Sequence, residues 1–224
     1  MRSPWRQQIS MAARPLRHLQ CVDLFAGAGG LFLAARNAEM EVVAAVEIDK
    51  HACATCRRNL MTNGTPKLYV ADLRALDPTE LKQAHFGDGN RCDLVLGGPP
   101  YQGFSVYRFK DAGVSDPRNE LVFQYLRFVD VLRPKAFLME NVPGLCWPRY
   151  ENLLNNFYAR GRSSGYEIRA PEILDARFQT FPDDFVFKGG LMAAGAQSSN
   201  AVPVQSGERL LHTIADGLSD AIGA

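Results

Sequence analysis

The sequence lacks any apolar run near the roughly 20 residues that a membrane-spanning helix requires, so we expect no membrane segment. An excess of charge is also missing. The 25 Lys and Arg residues against 24 Asp and Glu residues give a formal net charge of +1, so no overall field points to nucleic acid. The 4 histidines form no cluster with metal-ligand spacing, and we expect no metal site. A length of 224 residues with a hydrophobic fraction of 46% is typical of one globular domain.

Cysteine is scarce, with 5 residues, and no secretory signal precedes them, so we expect a reducing, cytoplasmic location. Cys53 and Cys56 have the Cys-x-x-Cys spacing without a second pair. Because they fall in a helical pattern, two buried helix residues are a better interpretation than a zinc or redox site. The first 20 residues contain four arginines and no acid. We therefore expect residues 1–19 to form a basic, disordered leader and residues 20–224 to form a single domain.

The chain is organised around a glycine-rich stretch, residues 22–30. A short apolar run gives way there to small residues and then to a helical pattern, which predicts a strand, a tight turn and a helix. Glycines let a backbone approach a ligand closely, and parallel α/β sheets bind ligands beyond the carboxyl ends of their strands. By itself, the turn could equally be a tight connection between strand and helix.

Further strand-like segments alternate with helical patterns along the chain. They lie at residues 41–46, 68–70, 93–96 and 135–139, and the alternation predicts a doubly wound, mostly parallel α/β sheet. Acidic residues follow three of these strands, at Glu47, Asp72 and Glu140. Each acid alone could cap the next helix, but the series along one sheet edge favours a nucleoside-containing ligand. NAD is disfavoured because the glycine spacing is not Gly-x-Gly-x-x-Gly.

These residues and several later ones resemble the DNA cytosine carbon-5 methyltransferase family, in family order. Residues 23–30 resemble the first family motif, residues 47–49 the second and residues 72–73 the third. Residues 97–105 resemble the fourth motif and residues 140–142 the sixth. Residues 181–185 are similar to the end of the ninth motif, and residues 197–203 resemble the tenth. The resemblance implies a Rossmann-like fold of the S-adenosylmethionine-dependent methyltransferase type. It also implies S-adenosylmethionine as the cofactor and methyl transfer to cytosine in DNA as the ancestral reaction.

The resemblance also implies roles for single residues. Glu47 would hold the ribose hydroxyls, Asp72 would contact the adenine edge, and Glu140 would stabilise the base when its N3 is protonated. The residues implied to contact the cofactor are Phe25, Gly27, Gly29, Leu31, Glu47, Ile48, Asp72, Leu73, Pro99, Leu121, Asn200 and Val202.

One departure from the family concerns the nucleophile. Tyr101 stands where the family has the cysteine that adds to carbon-6 of cytosine. A phenol with a pKa near 10 is little ionised at neutral pH and is larger than a thiol, so we expect carbon-5 transfer to be impaired. The sequence Pro-Pro-Tyr also ends the catalytic motif of enzymes that methylate exocyclic amino groups. In those enzymes, a polar residue precedes the two prolines, whereas this chain has Gly98 there.

A second departure is an internal gap. Residues 165–176 resemble the seventh-motif strand, but the sequence that follows directly, 177–182, already resembles the ninth motif. The eighth motif, one family strand and the target-recognition domain are therefore missing near residues 176–177. Because an unpaired strand edge invites another chain, we expect residues 163–196 to be rearranged or poorly ordered, and a homodimer is plausible.

Three hypotheses follow from these observations. The chain is a family methyltransferase with impaired carbon-5 chemistry, a degenerate module that binds a cofactor or a partner, or an amino-group methyltransferase that uses Tyr101. DNA is the expected partner, bound weakly or with a second chain that supplies base recognition. We further expect a final helix, residues 207–222, to pack beside the helix after Gly30 and to bring Asn200 to the cofactor.

Overall fold

A computed structural model of the protein describes residues 19–61, 66–87, 91–100, 120–172 and 181–222. The strands are β1 Gln20–Leu24, β2 Glu41–Glu47, β3 Lys67–Val70, β4 Leu94–Gly97 and β5 Ala136–Met139. The helices are α1 Gly30–Asn37, α2 Lys50–Leu60, α3 Pro78–Phe86, α4 Leu121–Leu132, α5 Glu151–Ser163, α6 Leu191–Ser199 and α7 Val204–Ile222.

The described strands form one parallel sheet in the order β3-β2-β1-β4-β5. The chain builds outward from β1 to β3 and then crosses to β4 on the other side of β1. This topological switch point between β1 and β4 is where doubly wound sheets bind ligands. The turn after β1 and the loop after β4 therefore both lie at the position that the fold favours for a site.

Helices cover both faces of the sheet, as the alternation of elements predicts. One core cluster joins α1, part of α2 and α7 to one sheet face, and the other joins α3, α4 and α5 to the opposite face. Along β4, Leu94 and Leu96 belong to the first cluster and Val95 to the second, as expected for a strand that is buried on both sides. The predicted doubly wound α/β fold is confirmed.

Carboxyl caps begin two of the helices. Asp49 accepts a hydrogen bond from the Ala52 N–H at 2.8 Å and begins α2. Asp77 accepts from the Thr79 N–H at 2.8 Å and begins α3, with Pro78 in the first turn. Glu47, Asp72 and Glu140 are not N-caps of any described helix, so capping does not account for these three acids.

The last helix packs where the sequence predicts. A Cβ atom placed on Gly207 would lie 2.9 Å from Ala34 Cβ, so only glycine permits this contact between α7 and α1. Asn37 Nδ2 donates to Glu208 Oε2 at 3.1 Å, and Leu211 is fully buried in the first core cluster. The packing is confirmed, although α7 begins at Val204 rather than at residue 207.

The expected seventh-motif strand is not present in the described residues 165–172, and that prediction is wrong for this stretch. The Tyr166 ring instead packs against Phe137 of β5 with a centroid distance of 5.1 Å, and its hydroxyl donates to the Pro134 carbonyl at 2.8 Å. Side-chain anchoring therefore replaces the ladder of backbone hydrogen bonds that a strand would make. The proposed deletion point near 176–177 lies outside the described residues, and so does the expected leader, residues 1–19, except for Leu19, which is buried in the first core cluster rather than disordered. None of the described helices could span a membrane.

Candidate functional site

A cavity of about 410 Å³ lies at the carboxyl ends of the strands. Its walls come from the turn after β1, the ends of β2 and β3, the loops after β4 and β5, and one face of α6. The lining residues are Phe25, Gly27, Ala28, Val46, Glu47, Ile48, Asp49, His51, Ala52, Ala71, Asp72, Leu73, Arg74, Gly98, Pro100, Leu121, Glu140, Ala193, Ala196, Gln197 and Asn200.

The turn after β1 has the backbone shape of a close-approach loop. Phe25 has a φ of 60° and Gly27 a φ of 57°, both in the left-handed region. Such a conformation costs a non-glycine residue roughly 1–2 kcal/mol, so the fold maintains strain at Phe25. No atom lies within 4 Å of where a Cβ on Gly27 would be, which leaves open space at the cavity wall.

Glu47 connects this turn to the start of α2 through hydrogen bonds. Its Oε2 accepts the Gly27 N–H at 2.8 Å, and its Oε1 accepts the N–H groups of Ile48 and Asp49 at 2.8 and 2.7 Å. A carboxylate has about four acceptor positions, so three N–H donors leave roughly one free. That remaining position can accept a ligand hydroxyl, and a second hydroxyl would have to displace one N–H.

Beside Glu47, the cavity offers an apolar face and a second carboxylate. Ile48 is 60% exposed and lines the cavity, so its side chain offers an apolar surface to a ring. Asp72 is held by Arg74, whose Nε donates to Oδ1 at 3.0 Å and whose terminal nitrogen donates to Oδ2 at 2.5 Å. The hydrogen bonds from Arg74 hold the pKa of Asp72 below its usual range, so the carboxyl stays ionised as an acceptor.

The far wall of the cavity is α6, which reaches it through a buried polar network. The Thr55 hydroxyl donates to Gln197 Oε1 at 2.6 Å and accepts the Lys188 N–H at 2.8 Å. Gln197 Nε2 in turn donates to the Lys188 carbonyl at 2.7 Å. These bonds fix α6 on α2, and Ala193, Ala196 and Asn200 therefore face the cavity.

Glu140 enters the same cavity from the end of β5. Its backbone N–H donates to the Gly97 carbonyl at 2.9 Å, and burial raises the pKa of its carboxyl. A Cβ atom on Gly98 would lie 3.0 Å from Glu140 Oε2, so a larger residue at position 98 would crowd this carboxyl. The site thus joins acceptors for hydroxyl and amino groups, an apolar face and a carboxyl group whose pKa is raised by burial.

A buried carboxyl group, Asp23, lies one step behind this site on β1. It is fully buried, and neither of its oxygens has a hydrogen-bond partner in the described part of the chain. Burial, followed by the nearby charge of Glu47, raises its pKa to about 7. The Phe32 amide opposes the rise without reaching hydrogen-bond geometry.

The cysteines of α2 are buried, as the sequence predicts. Burial raises the pKa of Cys53 to about 11 and raises that of Cys56 further still. Both thiols therefore stay protonated and unreactive at neutral pH. Within the ranges that the structure describes, no group of three His, Cys, Asp or Glu residues could hold a metal ion.

The cavity brings together nine of the sequence-predicted site residues and leaves four others outside its lining. Those inside are Phe25, Gly27, Glu47, Ile48, Asp72, Leu73, Leu121, Glu140 and Asn200. Of those outside, Gly29 faces Leu60 of α2, and Leu31 is in the core. The Pro99 carbonyl accepts a hydrogen bond from Asn141, and the Val202 backbone lies against Gly30. Tyr101 lies outside the described residues.

Sequence reasoning missed Arg74 and the Thr55–Gln197 pair. The spacing Asp-x-Arg at 72–74 was visible but has no distinctive meaning without a geometry. Thr55 and Gln197 are 142 residues apart, and no local pattern connects them.

Comparisons with known proteins identify the family of the chain. A family model described as C-5 cytosine-specific DNA methylase matches residues 19–177. Type II methyltransferase M.XorII of Xanthomonas oryzae pv. oryzae is 34% identical over 201 residues, which are 89% of this chain and 45% of that protein. Type II methyltransferase M.PspPI of Psychrobacter sp. is 37% identical over 182 residues, which are 80% and 40% of the two chains. This chain therefore spans less than half the length of either relative.

A solved structure gives the same result. It is a crystal structure of a candidate DNA modification methyltransferase encoded within an E. coli prophage. It matches with 35% identity and a TM-score of 0.54, covering 65% of this chain and 38% of that one. Because the family model covers well over half of the sequence, the chain belongs to the C-5 cytosine-specific DNA methylase family, whose methyl donor is S-adenosylmethionine.

Proposed function

We propose that this chain binds S-adenosylmethionine in the cavity and represents a cytosine methyltransferase whose carbon-5 chemistry is impaired at Tyr101. The observation that carries the proposal is that Glu47 and Glu140 line one cavity of about 410 Å³. A cofactor held by Glu47 and a base held by Glu140 would therefore meet in the same cavity. The bound cofactor would supply an electrophilic methyl group.

The residues of the cavity fit such a cofactor. The free acceptor position of Glu47 suits a ribose hydroxyl, and the exposed Ile48 side chain suits one face of an adenine ring. The ionised Asp72 can accept an exocyclic amino group at the ring edge. Gly27 leaves room for the chain that connects ribose and methyl group. Gly29, Leu31, Pro99 and Val202 would then support these contacts from behind.

Glu140 is suited to hold a proton for the base. Burial raises the pKa of its carboxyl, so a proton shared with the N3 of a cytosine is retained to higher pH than an exposed glutamate allows. A proton at N3 makes the ring more susceptible to attack at carbon-6. That attack needs a thiolate, which Tyr101 does not provide.

The absence of a side chain at Gly98 weighs against amino-group methylation. Enzymes of that kind place a polar side chain at this position, whereas a side chain here would press on the Glu140 carboxyl and require it to shift by a few tenths of an ångström. The non-catalytic alternative, a module that binds the cofactor or a partner chain, uses the same cavity and is favoured by Tyr101. Base recognition in DNA would come from a second chain, since the target-recognition domain is missing at the internal gap near residues 176–177.

Methyl transfer from tritiated cofactor to single-stranded and duplex DNA tests the proposal. We expect calorimetric binding of the cofactor and no carbon-5 methylation by the unaltered chain. Tyr101→Cys should permit weak covalent trapping on a 5-fluorocytosine substrate, and Tyr101→Ser, the matched control without a thiol, should permit none. Robust 5-methylcytosine from the unaltered chain that is lost in Glu140→Ala would contradict the impairment. A folded chain without cofactor binding at millimolar concentration would contradict the whole proposal.

A further inference from the structure

An arginine that contacts two aromatic rings follows the Glu140 loop. Two short 3-10 turns, Pro143–Cys146 and Pro148–Tyr150, connect β5 to α5. Within them, the Arg149 guanidinium carbon lies 4.6 Å from the centroid of the Trp147 ring and 5.2 Å from that of Tyr150. Tyr150 is 1% exposed and belongs to the second core cluster, so one side of this arrangement is anchored in the core.

The charge of Arg149 is presented to solvent. The residue is exposed, and no carboxylate in the described ranges lies within ion-pair distance of it. Arg160 differs in this respect because it pairs with Asp130 at 3.3 Å. Stacking on rings restricts the guanidinium before any partner binds, which lowers the entropy cost of a contact and leaves its in-plane N–H donors free.

The position of Arg149 fits a strand that delivers a base to Glu140. Arg149 lies in the turn that directly precedes α5, and the far end of α5, at Ser164, accepts a hydrogen bond from Arg133 beside the amino end of β5. The start of α5, and Arg149 with it, therefore lies toward the carboxyl ends of the strands, the edge from which Glu140 enters the cavity. A duplex carries one negative charge per roughly 1.7 Å of its axis, so a base held at that edge brings several flanking phosphates to it. Planar guanidinium groups bind phosphate oxygens in bidentate fashion.

We propose that Arg149, supported by Trp147 and Tyr150, contacts the phosphate backbone of the nucleic acid whose base enters the site at Glu140. The contact positions the strand and carries no sequence information, as phosphate contacts generally do. This inference rests on the proposed function, because it assumes that a nucleic acid reaches Glu140. It adds a docking residue to a chain whose formal net charge is only +1.

Binding of a fluorescent single-stranded 20-mer to Arg149→Gln, measured by anisotropy over 50–200 mM salt, tests the contact. We expect roughly three- to tenfold weaker binding at low salt and a loss of about one from the slope of log K against log salt. Arg149→Lys should keep most of the slope while binding more weakly, because it retains the charge and loses the planar fork. Far-ultraviolet circular dichroism of each variant establishes that it is folded.

Arg162→Gln is the matched control. Arg162 is also exposed and lies 5.6 Å from the centroid of the Tyr158 ring, but it is near the other end of α5. Its loss removes the same charge and should have less effect on affinity. Equal losses in both variants, or no binding by the unaltered chain, would overturn the inference.

Tryptophan emission gives a second readout. The chain has 2 tryptophans, Trp5 and Trp147, so Trp5→Phe leaves Trp147 as the sole reporter. We expect its emission to change on nucleic-acid binding, and an unchanged emission at saturating 20-mer would count against contact at this surface. Calorimetry with S-adenosylmethionine separates the two proposals. If the unaltered chain binds the cofactor but the Arg149→Gln variant binds the 20-mer as tightly as the unaltered chain does, this inference alone is refuted. If the unaltered chain does not bind the cofactor, the proposed function is refuted.

Discussion

Asp23 should make the stability of this protein fall as the pH rises from about 4 to about 7. The group is fully buried on β1 with no hydrogen-bond partner for either oxygen in the described residues, and its pKa is raised to about 7. In the unfolded chain it has the ordinary pKa of 3.8. Between these two values the unfolded state releases the proton and the folded state retains it. Deprotonation therefore favours unfolding throughout this window.

The size of the effect follows from the width of the window. A shift of about 3 pH units, at 1.36 kcal/mol per unit, corresponds to roughly 4 kcal/mol of stability lost between pH 4 and pH 7. Below pH 4 both states are protonated, and above pH 7 both are ionised, so this group contributes no slope outside the window. A loss of this size is a large share of the 5–15 kcal/mol that typically stabilises a domain.

Urea unfolding at pH steps from 4 to 8, with Asp23→Asn beside the unaltered chain, measures the effect. The variant cannot titrate, so its unfolding free energy relative to the unaltered chain should rise by roughly 4 kcal/mol across the window. Asp77→Asn is the matched control, because it makes the same substitution at an exposed helix cap where asparagine caps about as well as aspartate does. A difference between Asp23→Asn and the unaltered chain that is the same at every pH would refute the reasoning.

Three further predictions concern the site and its support. Glu47→Ala should weaken S-adenosylmethionine binding by calorimetry by about 10- to 100-fold, since a hydrogen bond to a charged group is worth roughly 1.5–3 kcal/mol; unchanged affinity in a folded variant would contradict this role. Gly207→Leu should lower the unfolding free energy by roughly 1–3 kcal/mol, because a Cβ there meets a methyl group of α1 at 2.9 Å. Gly217→Ala, whose added Cβ would have nothing within 4 Å, should instead be neutral or stabilising when both variants are compared by thermal unfolding. Thr55→Val should cost roughly 1–3 kcal/mol and weaken cofactor binding, whereas Thr55→Ser should restore both; equal behaviour of the two variants would show that the hydroxyl does not hold α6.

Much of the fold was predictable because its signals are local. The apolar runs that end at Leu24, Glu47 and Met139 are short and bounded by glycine or acidic residues, and this pattern predicts buried parallel strands. The strand expected at residues 165–176 does not form in its described part, because its formation depends on distant contacts and not on local signals. Strand formation depends on a neighbour to accept hydrogen bonds, and the side-chain contact of Tyr166 with Phe137 replaces that neighbour.

The candidate site was predictable where topology alone decides. Parallel strands end at the same sheet edge, so residues that follow β2, β3 and β5 must converge, and Glu47, Asp72 and Glu140 do line one cavity. The residues that line the cavity were less predictable where helix packing determines which side chains reach it. Leu31 belongs to the same local pattern as the glycine turn but turns into the core, because α7 covers that side of α1.

The sequence by itself determined the order of strands and helices, the family, and the sheet edge on which the site lies, because periodicity and motif spacing are properties of neighbouring residues. Only the tertiary structure decided how the cavity is closed and charged. The hydrogen bond between Thr55 and Gln197 spans 142 residues, and it helps to fix the wall that presents Asn200. The burial of Asp23 without a partner, and its pKa of about 7, arise from the layers packed on both faces of β1. Desolvation is a sum over everything that surrounds a group, and no stretch of sequence contains that sum.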